Sequence, residues 1–517
     1  MRRRSRCSSL LALSLAVMTL AGCGGSDAST PGTLAIAVVG EPAPGLGDGY
    51  LFEGFATEYG MGASGQVIFQ ASANVNNGGP RERKTAMWYG QPESLKVIAE
   101  VGQPIPGAKD DNRISDFSLL PRIVTRNGTA VFVARGTNKL PGYQPQVLVA
   151  YRDGALEKIV ANGDPIPVPD GDGRLLNISQ YVAVDDGVLI MGTFARRKNA
   201  LWYWDFSDLR LVVAEGTEVP VGEFDCKIRG LESTTIDINA AGLAVFRASM
   251  FGNNCRYSGI VGWDRQSDAL IPVALNRTPI QAGTSLNFQS TTGDARVSDG
   301  GHIAIHAGIF DMEGRPGAMD STLWQARAGG DSQILIDKQT PLPDAPALKL
   351  THAIHDSGMA PVSGNELVHF VRNHHDRIIL RTTIAESPAH ELVAHTGTVV
   401  DETAATRIGT AHVNRSGDVV FVSYRRDEGR RSPIEQELWL SQRGSSLVRL
   451  TYPGAALVGR EDQTIDRINF SNPSHEPRAF STQGGRVRQI SDDGAVLFAG
   501  RLQTGSNRPN ALFVTRF

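Results

Sequence analysis

Histidine is the most unevenly spread of the chemistry-bearing residues in this 517-residue chain. Eight of the eleven lie between residues 352 and 412: His352, His355, His369, His374, His375, His390, His395 and His412. Imidazole beside carboxylate is ligand chemistry for zinc and other transition metals. The tightest groupings are His352-x-x-His355-Asp356 and His374-His375-Asp376. Their candidate metal ligands are His352, His355, His374, His375 and Asp376. Adjacent strand residues point to opposite faces, so His374 and His375 share an ion only from a turn, and a turn is expected there. The plainer alternative is a set of polar loop residues. No cofactor is expected beyond a divalent metal at these positions. Asp170-Gly171-Asp172-Gly173 has the opening of a calcium loop. Arg174 to Asn177 supply no later acidic ligand, so a solvated turn is expected instead. The interval from Glu461 to Val487 holds Arg467, His475, Glu476, Arg478 and Arg486. Arg467, His475, Arg478 and Arg486 are the candidate residues for binding a partner or capping a central channel, because long loops on rigid scaffolds often carry function. No G-x-S-x-G, H-E-x-x-H or phosphate-binding loop occurs, so no catalytic residue is nominated.

The cysteines set an address and a redox state. Residues 1–22 carry Arg2, Arg3, Arg4 and Arg6, then an apolar run from Leu10 to Leu20. That run is shorter than the roughly 20 residues of a membrane-spanning helix and has the pattern of a secretory signal. Leu20-Ala21-Gly22-Cys23 resembles the lipobox of bacterial lipoproteins. The resemblance implies cleavage before Cys23 and its lipidation, followed by a tether over residues 23–32. Gly24 stands where an Asp would retain such a protein at the inner membrane. By resemblance this favours the outer membrane, with the domain facing the periplasm or the surface. Losing four arginines and no acid takes the formal charge from −3 to −7. With no basic block, nucleic acid is not an expected partner. Cys226 and Cys255 remain, and an oxidising compartment permits a disulfide between them. Such a bond would contribute roughly 3 kcal/mol.

Residues 33–517, which must position these side chains, are periodic. A glycine precedes an apolar strand at Gly65, Gly128, Gly187, Gly242, Gly301, Gly364, Gly417 and Gly494. Three units carry N/S-x-x-G-x-x-x-F in full: Asn239 with Phe246, Asn414 with Phe421, Ser491 with Phe498. Asn or Ser bonds the backbone ahead and Gly supplies a positive φ, so the chain reverses into a strand. A tryptophan-type strand follows (Trp88, Trp202, Trp324, Trp439), then a strand ended by prolines, as in LKVIAEVGQPIPG. Prolines suit strand ends because they cannot donate to a ladder. Repeats of this size with four strands are typical of propeller blades. The chain begins with a strand of the proline-ended type, LAIAVVGEPAPG, and ends with a tryptophan-type strand, Leu512 and Phe513. The expected fold is all-β: one propeller of about eight four-stranded blades, closed by the C-terminal strand completing the sheet that the N-terminus starts. Closure removes open sheet edges. The strict period of the tryptophans predicts packing between blades rather than an exposed sugar platform.

The turn, the L-W strand and the G-x-P-x-P element together resemble bacterial choice-of-anchor tandem-repeat proteins, named for the Asn-x-x-Gly-x-x-Ala-Phe motif. The resemblance covers nearly the whole mature chain. Thr125, Val184 and Pro361 depart from it at the Asn position, and Met191 and Ile305 at the Phe position. It implies export and a surface anchor, and no activity. The expectation is a monomeric binding or scaffold module at the cell envelope, meeting an envelope protein or glycan and held to the membrane by lipid. The alternative is a propeller enzyme, a polysaccharide or peptide hydrolase or lyase, with or without a metal, with its site at the channel mouth.

Overall fold

A computed structural model describes residues 32–517 apart from 76–81, 108–111, 138–144, 253–254, 279–285, 291–294, 312–320, 329, 331, 337–339, 343–362, 374–375, 401–402, 405–406, 426–434 and 470–488. Eight antiparallel sheets follow one another along the chain, each organised around one of the eight glycine turns. Blade 3 shows the plan: Asn177–Val184, Gly187–Phe194, Lys198–Trp204 and Leu209–Ala214, paired in that order. The first strands of neighbouring blades touch one another, which places them innermost. The second and third strands are almost wholly buried, as for Gly187–Phe194 and Gln146–Arg152. Their apolar residues face neighbours on both sides, so they read as continuous apolar runs rather than alternating ones.

The last blade holds Arg460–Asn469, Ala495–Gln503 and Asn510–Arg516, and its fourth strand is Gly32–Val38 from the other end of the chain. Gly32 pairs with Arg516 and Val38 with Ala511. Packing continues across this junction. Leu497, Leu512 and Val514 share a cluster with Met61, Phe69 and Trp88 of the first blade. A further clamp holds the entering strand, since Val458 N–H donates to Thr33 O at 2.9 Å and Arg460 forms a bidentate pair with Glu41.

The meander divides the faces. First-to-second and third-to-fourth turns lie on one face and are short. Second-to-third and fourth-to-first connections lie on the other. Gly32, at the Arg516 end of its pair, lies on the short-turn face. Several fourth-to-first connections begin with a repeated bond: Gly40 N–H to Phe52 O, Gly102 to Ile114, Gly163 to Leu175 and Gly216 to Ile228, all at 2.7 Å. The proline element is thus a closed tab. It folds against the next blade, where Pro44 O accepts the Trp88 indole N–H at 2.9 Å and Pro167 O that of Trp202 at 2.8 Å. A buried indole needs such a partner, and the tab supplies it.

Candidate functional site

The glycine turns form a ring around the axis on the short-turn face. Each turn first satisfies itself: Leu243 N–H donates to Asn239 Oδ1 at 2.9 Å, and Ala495 N–H to Ser491 Oγ at 2.7 Å. It then reaches the next blade. Asn239 Nδ2 donates to Ser298 O at 2.8 Å, Asn127 Nδ2 to Asp185 O at 2.7 Å, and Asn414 Nδ2 to Ser491 O at 3.3 Å. The last turn joins the first through Asp492 N–H and Ala63 O at 2.7 Å. Of the residues two before these glycines, Arg126, Asp185, Asp299, Arg415 and Asp492 are charged. Asp185 and Asp492 accept backbone N–H groups of the preceding turn, from Asn127 at 3.1 Å and Arg415 at 2.9 Å. Asp299, in blade 5, takes Arg126 of blade 2 at 2.9 Å and Arg415 of blade 7 at 3.2 Å.

One carboxylate therefore joins two guanidinium groups from different sides of the ring and bars the axis at this mouth. A shallow recess beside it is lined by Ala63, Thr125, Arg126, Val184, Asp185 and Ala240. The chemistry on offer is charge pairing. Each of these carboxylates already meets a cation or a backbone donor, and none is paired with a second carboxylate for acid–base work. Sequence reasoning missed this ring of charges. The signal was in the repeat, at the position two before the glycine, where Arg126, Asp185, Asp299, Arg415 and Asp492 bring both signs of charge.

A second cluster lies in the seam between blades 5 and 6. His369 is fully buried on Glu366–Asn373. Its Nε2 lies 2.9 Å from Thr382 Oγ1, and that hydroxyl lies 3.0 Å from His390 Nδ1 on Ala389–His395. Burial pushes the His369 imidazole down to about 3, with His390 and His306 adding to the effect. Burial also lowers His390, which is closer to solvent. His412, buried in blade 7, is lowered to about 4 by desolvation.

Of the expected metal ligands, His352, His355, His374 and His375 lie outside the described residues. Asp376 opens the strand Asp376–Thr383 opposite Asn373. Among the described residues, no group of three or more His, Cys, Asp or Glu is placed to hold a metal ion. Arg467 sits half-buried on the innermost strand of blade 8, paired with Arg501. His475, Arg478 and Arg486 lie outside the described residues, as does Cys23. The interval that holds them leaves the innermost strand after Asn469, which pairs with Ala499, and returns before Ile490, which bridges Val496. Asp170 is in the tight turn between Pro165–Val168 and Gly171–Arg174. Cys226 and Cys255 form the disulfide, with Cα atoms 5.8 Å apart. Trp88, Trp202, Trp263 and Trp324 are all buried, which places the periodic tryptophans in packing and removes them as a sugar platform.

Among solved structures, the chain is similar to the β-propeller domain of the Trilobed protease from Pyrococcus furiosus, at 10% identity, TM-score 0.38, covering 77% of this chain and 93% of that one. It is also similar to an oligogalacturonate lyase in complex with manganese, at 12% identity and TM-score 0.36, with 78% and 89% covered. The Dos1 propeller matches at 9% identity and TM-score 0.33, with 72% and 90% covered. No curated protein matches the chain. A family model does match, over residues 27–188 and 191–516, and the chain belongs to that family, a family of unknown function (DUF7453).

Proposed function

We propose that this protein is an exported lipoprotein whose propeller serves as a binding or scaffold module at the cell envelope, held to the membrane by lipid on Cys23. The observation that carries the binding reading is the state of the axial mouth. Asp185, Asp299 and Asp492 converge from three blades, yet each is engaged by a neighbouring arginine or backbone N–H. Such a mouth holds blades together, and among the described residues these three carboxylates are used in that role. The export reading is supported by the Cys226–Cys255 disulfide, a bond that persists in oxidising compartments. Anchor and fold are compatible, because Gly32 begins its strand on the short-turn face. The opposite face is then the one left to a partner, an envelope protein or glycan. The lipobox and the repeat motif support the kinship with choice-of-anchor repeat proteins and an outer-membrane destination.

The test is Cys23→Ser in the full chain. The wild type is expected in the membrane fraction with an acylated N-terminal peptide by mass spectrometry, and the variant in the soluble extracytoplasmic fraction. Membrane association that survives the substitution would overturn the anchor. Turnover of a polysaccharide or peptide that is lost on Asp299→Asn would overturn the non-enzymatic reading.

A further inference from the structure

The seam between blades 5 and 6 is packed with apolar groups from both sides: Ala304, Leu323 and Ile336 from blade 5, Leu367, Ile378 and Leu380 from blade 6. Three imidazoles are set into it. His306 comes from His302–Asp311, His369 and His390 from blade 6. Strand pairing puts His369, Thr382 and His390 on one face of their sheet, because Leu367 pairs with Thr382 and Thr382 with His390. Among the described residues, the titratable groups acting on His369 are His390 and His306, both histidines. Arg327 of blade 5 pairs with Glu386 of blade 6 across the edge of the seam at 2.6 Å, and further charges lie on the other face of blade 6. There Arg381 pairs with Glu391 and donates to Gly417 O, and Glu366 takes Arg443.

We propose that this seam is an acid-responsive latch, closed by neutral His369 and His390 packed beside His306 and opened when protons enter from the solvent side through His390.

The hydrogen-bond count gives the reason. A hydroxyl has one proton to give, so Thr382 satisfies both rings when one ring nitrogen donates to Oγ1 and the other accepts from it. When both rings become cations, both nitrogens donate, and the threonine O–H loses its acceptor. His369 Nδ1 is buried with no partner. Its protonation would leave an N–H in an apolar wall, at the cost of a buried unsatisfied donor. Two imidazolium ions across one hydroxyl also repel. The chain remains folded around this seam, because the ring of turns and the terminal strand pair hold elsewhere.

Hydrogen exchange on the full mature chain tests this, with protection corrected for the intrinsic pH dependence of exchange. A histidine kept neutral when folded and free to protonate when open shifts the opening equilibrium about thirtyfold between pH 7 and pH 5. The expected result is a loss of that order for amides of Glu366–Asn373 and Asp376–Thr383, with blade 3 amides of Gly187–Phe194 losing much less. His369→Gln is expected to abolish most of the local loss. His390→Gln, at a less buried position, is the second variant and should reduce it. A uniform loss in all blades would overturn the latch, as would a local loss unchanged in both variants.

Discussion

Replacing Asn239 separates the two tasks of the turn motif. Its side chain is fully buried and makes two kinds of bond. Oδ1 accepts Leu243 N–H within the turn, and Nδ2 donates to Ser298 O in the next blade. Alanine removes both, leaving the Leu243 N–H without its turn acceptor and Ser298 O with the Gly301 N–H alone. At about 1 kcal/mol for each net bond, plus the desolvation of orphaned groups, the cost is roughly 2–4 kcal/mol. Serine is the informative control, because it occupies the equivalent position in two other units, as Ser298 and Ser491. There its Oγ closes the turn, accepting His302 N–H at 3.1 Å and Ala495 N–H at 2.7 Å. Asn239→Ser should therefore keep the turn and lose only the bond between blades, costing about 1–2 kcal/mol. Urea denaturation of the oxidised protein, followed by tryptophan fluorescence, gives both shifts. Equal midpoints for the serine and alanine variants would refute the division of labour. A shift below about 0.5 kcal/mol for alanine would refute the structural role of the motif altogether.

Other outcomes follow from the same geometry. Cys226→Ser with Cys255→Ser opens a loop of 29-residue separation. It should lower stability by about 3–4 kcal/mol in the chain-entropy model, and reduction of the wild type should reproduce the shift in urea midpoint. Trp202→Phe loses the bond to Pro167 O and leaves a void, costing about 1–3 kcal/mol, with greater protease cleavage in the tab from Gly163 to Leu175 as the local readout. His412, lowered to about 4 in the fold, favours the unfolded chain once that chain takes up protons. Its contribution is whole above about pH 6.5 and is lost as pH falls towards 4. About 2 kcal/mol should disappear between pH 7 and pH 5. His412→Gln should flatten that part of the pH–stability curve, and an unchanged slope would show that the ring protonates in place.

Much of the architecture was legible in the sequence because propeller blades are local objects. Each four-stranded meander pairs residues near in sequence, so its turn glycines, its apolar strands and its prolines recur in order. The offset of the termini, a proline-ended strand first and a tryptophan-type strand last, was enough to anticipate that Gly32–Val38 and Asn510–Arg516 would share a sheet. The two cysteines left after the signal gave their own pairing once export was assumed. The sequence also gave a dense run of histidines, but spacing along one chain says little about neighbours across a seam. His306 lies outside that run and joins His369 only because two blades pack face to face, each with its own register. The axial charges show the same limit. Arg126 and Asp299 are 173 positions apart, and only closure of the ring brings them into contact. What the sequence determined alone was therefore the unit and its repetition, set by hydrogen-bonded turns a few residues long. What tertiary structure decided was which units meet across the axis and the seams, because those contacts depend on the circular order of rigid sheets.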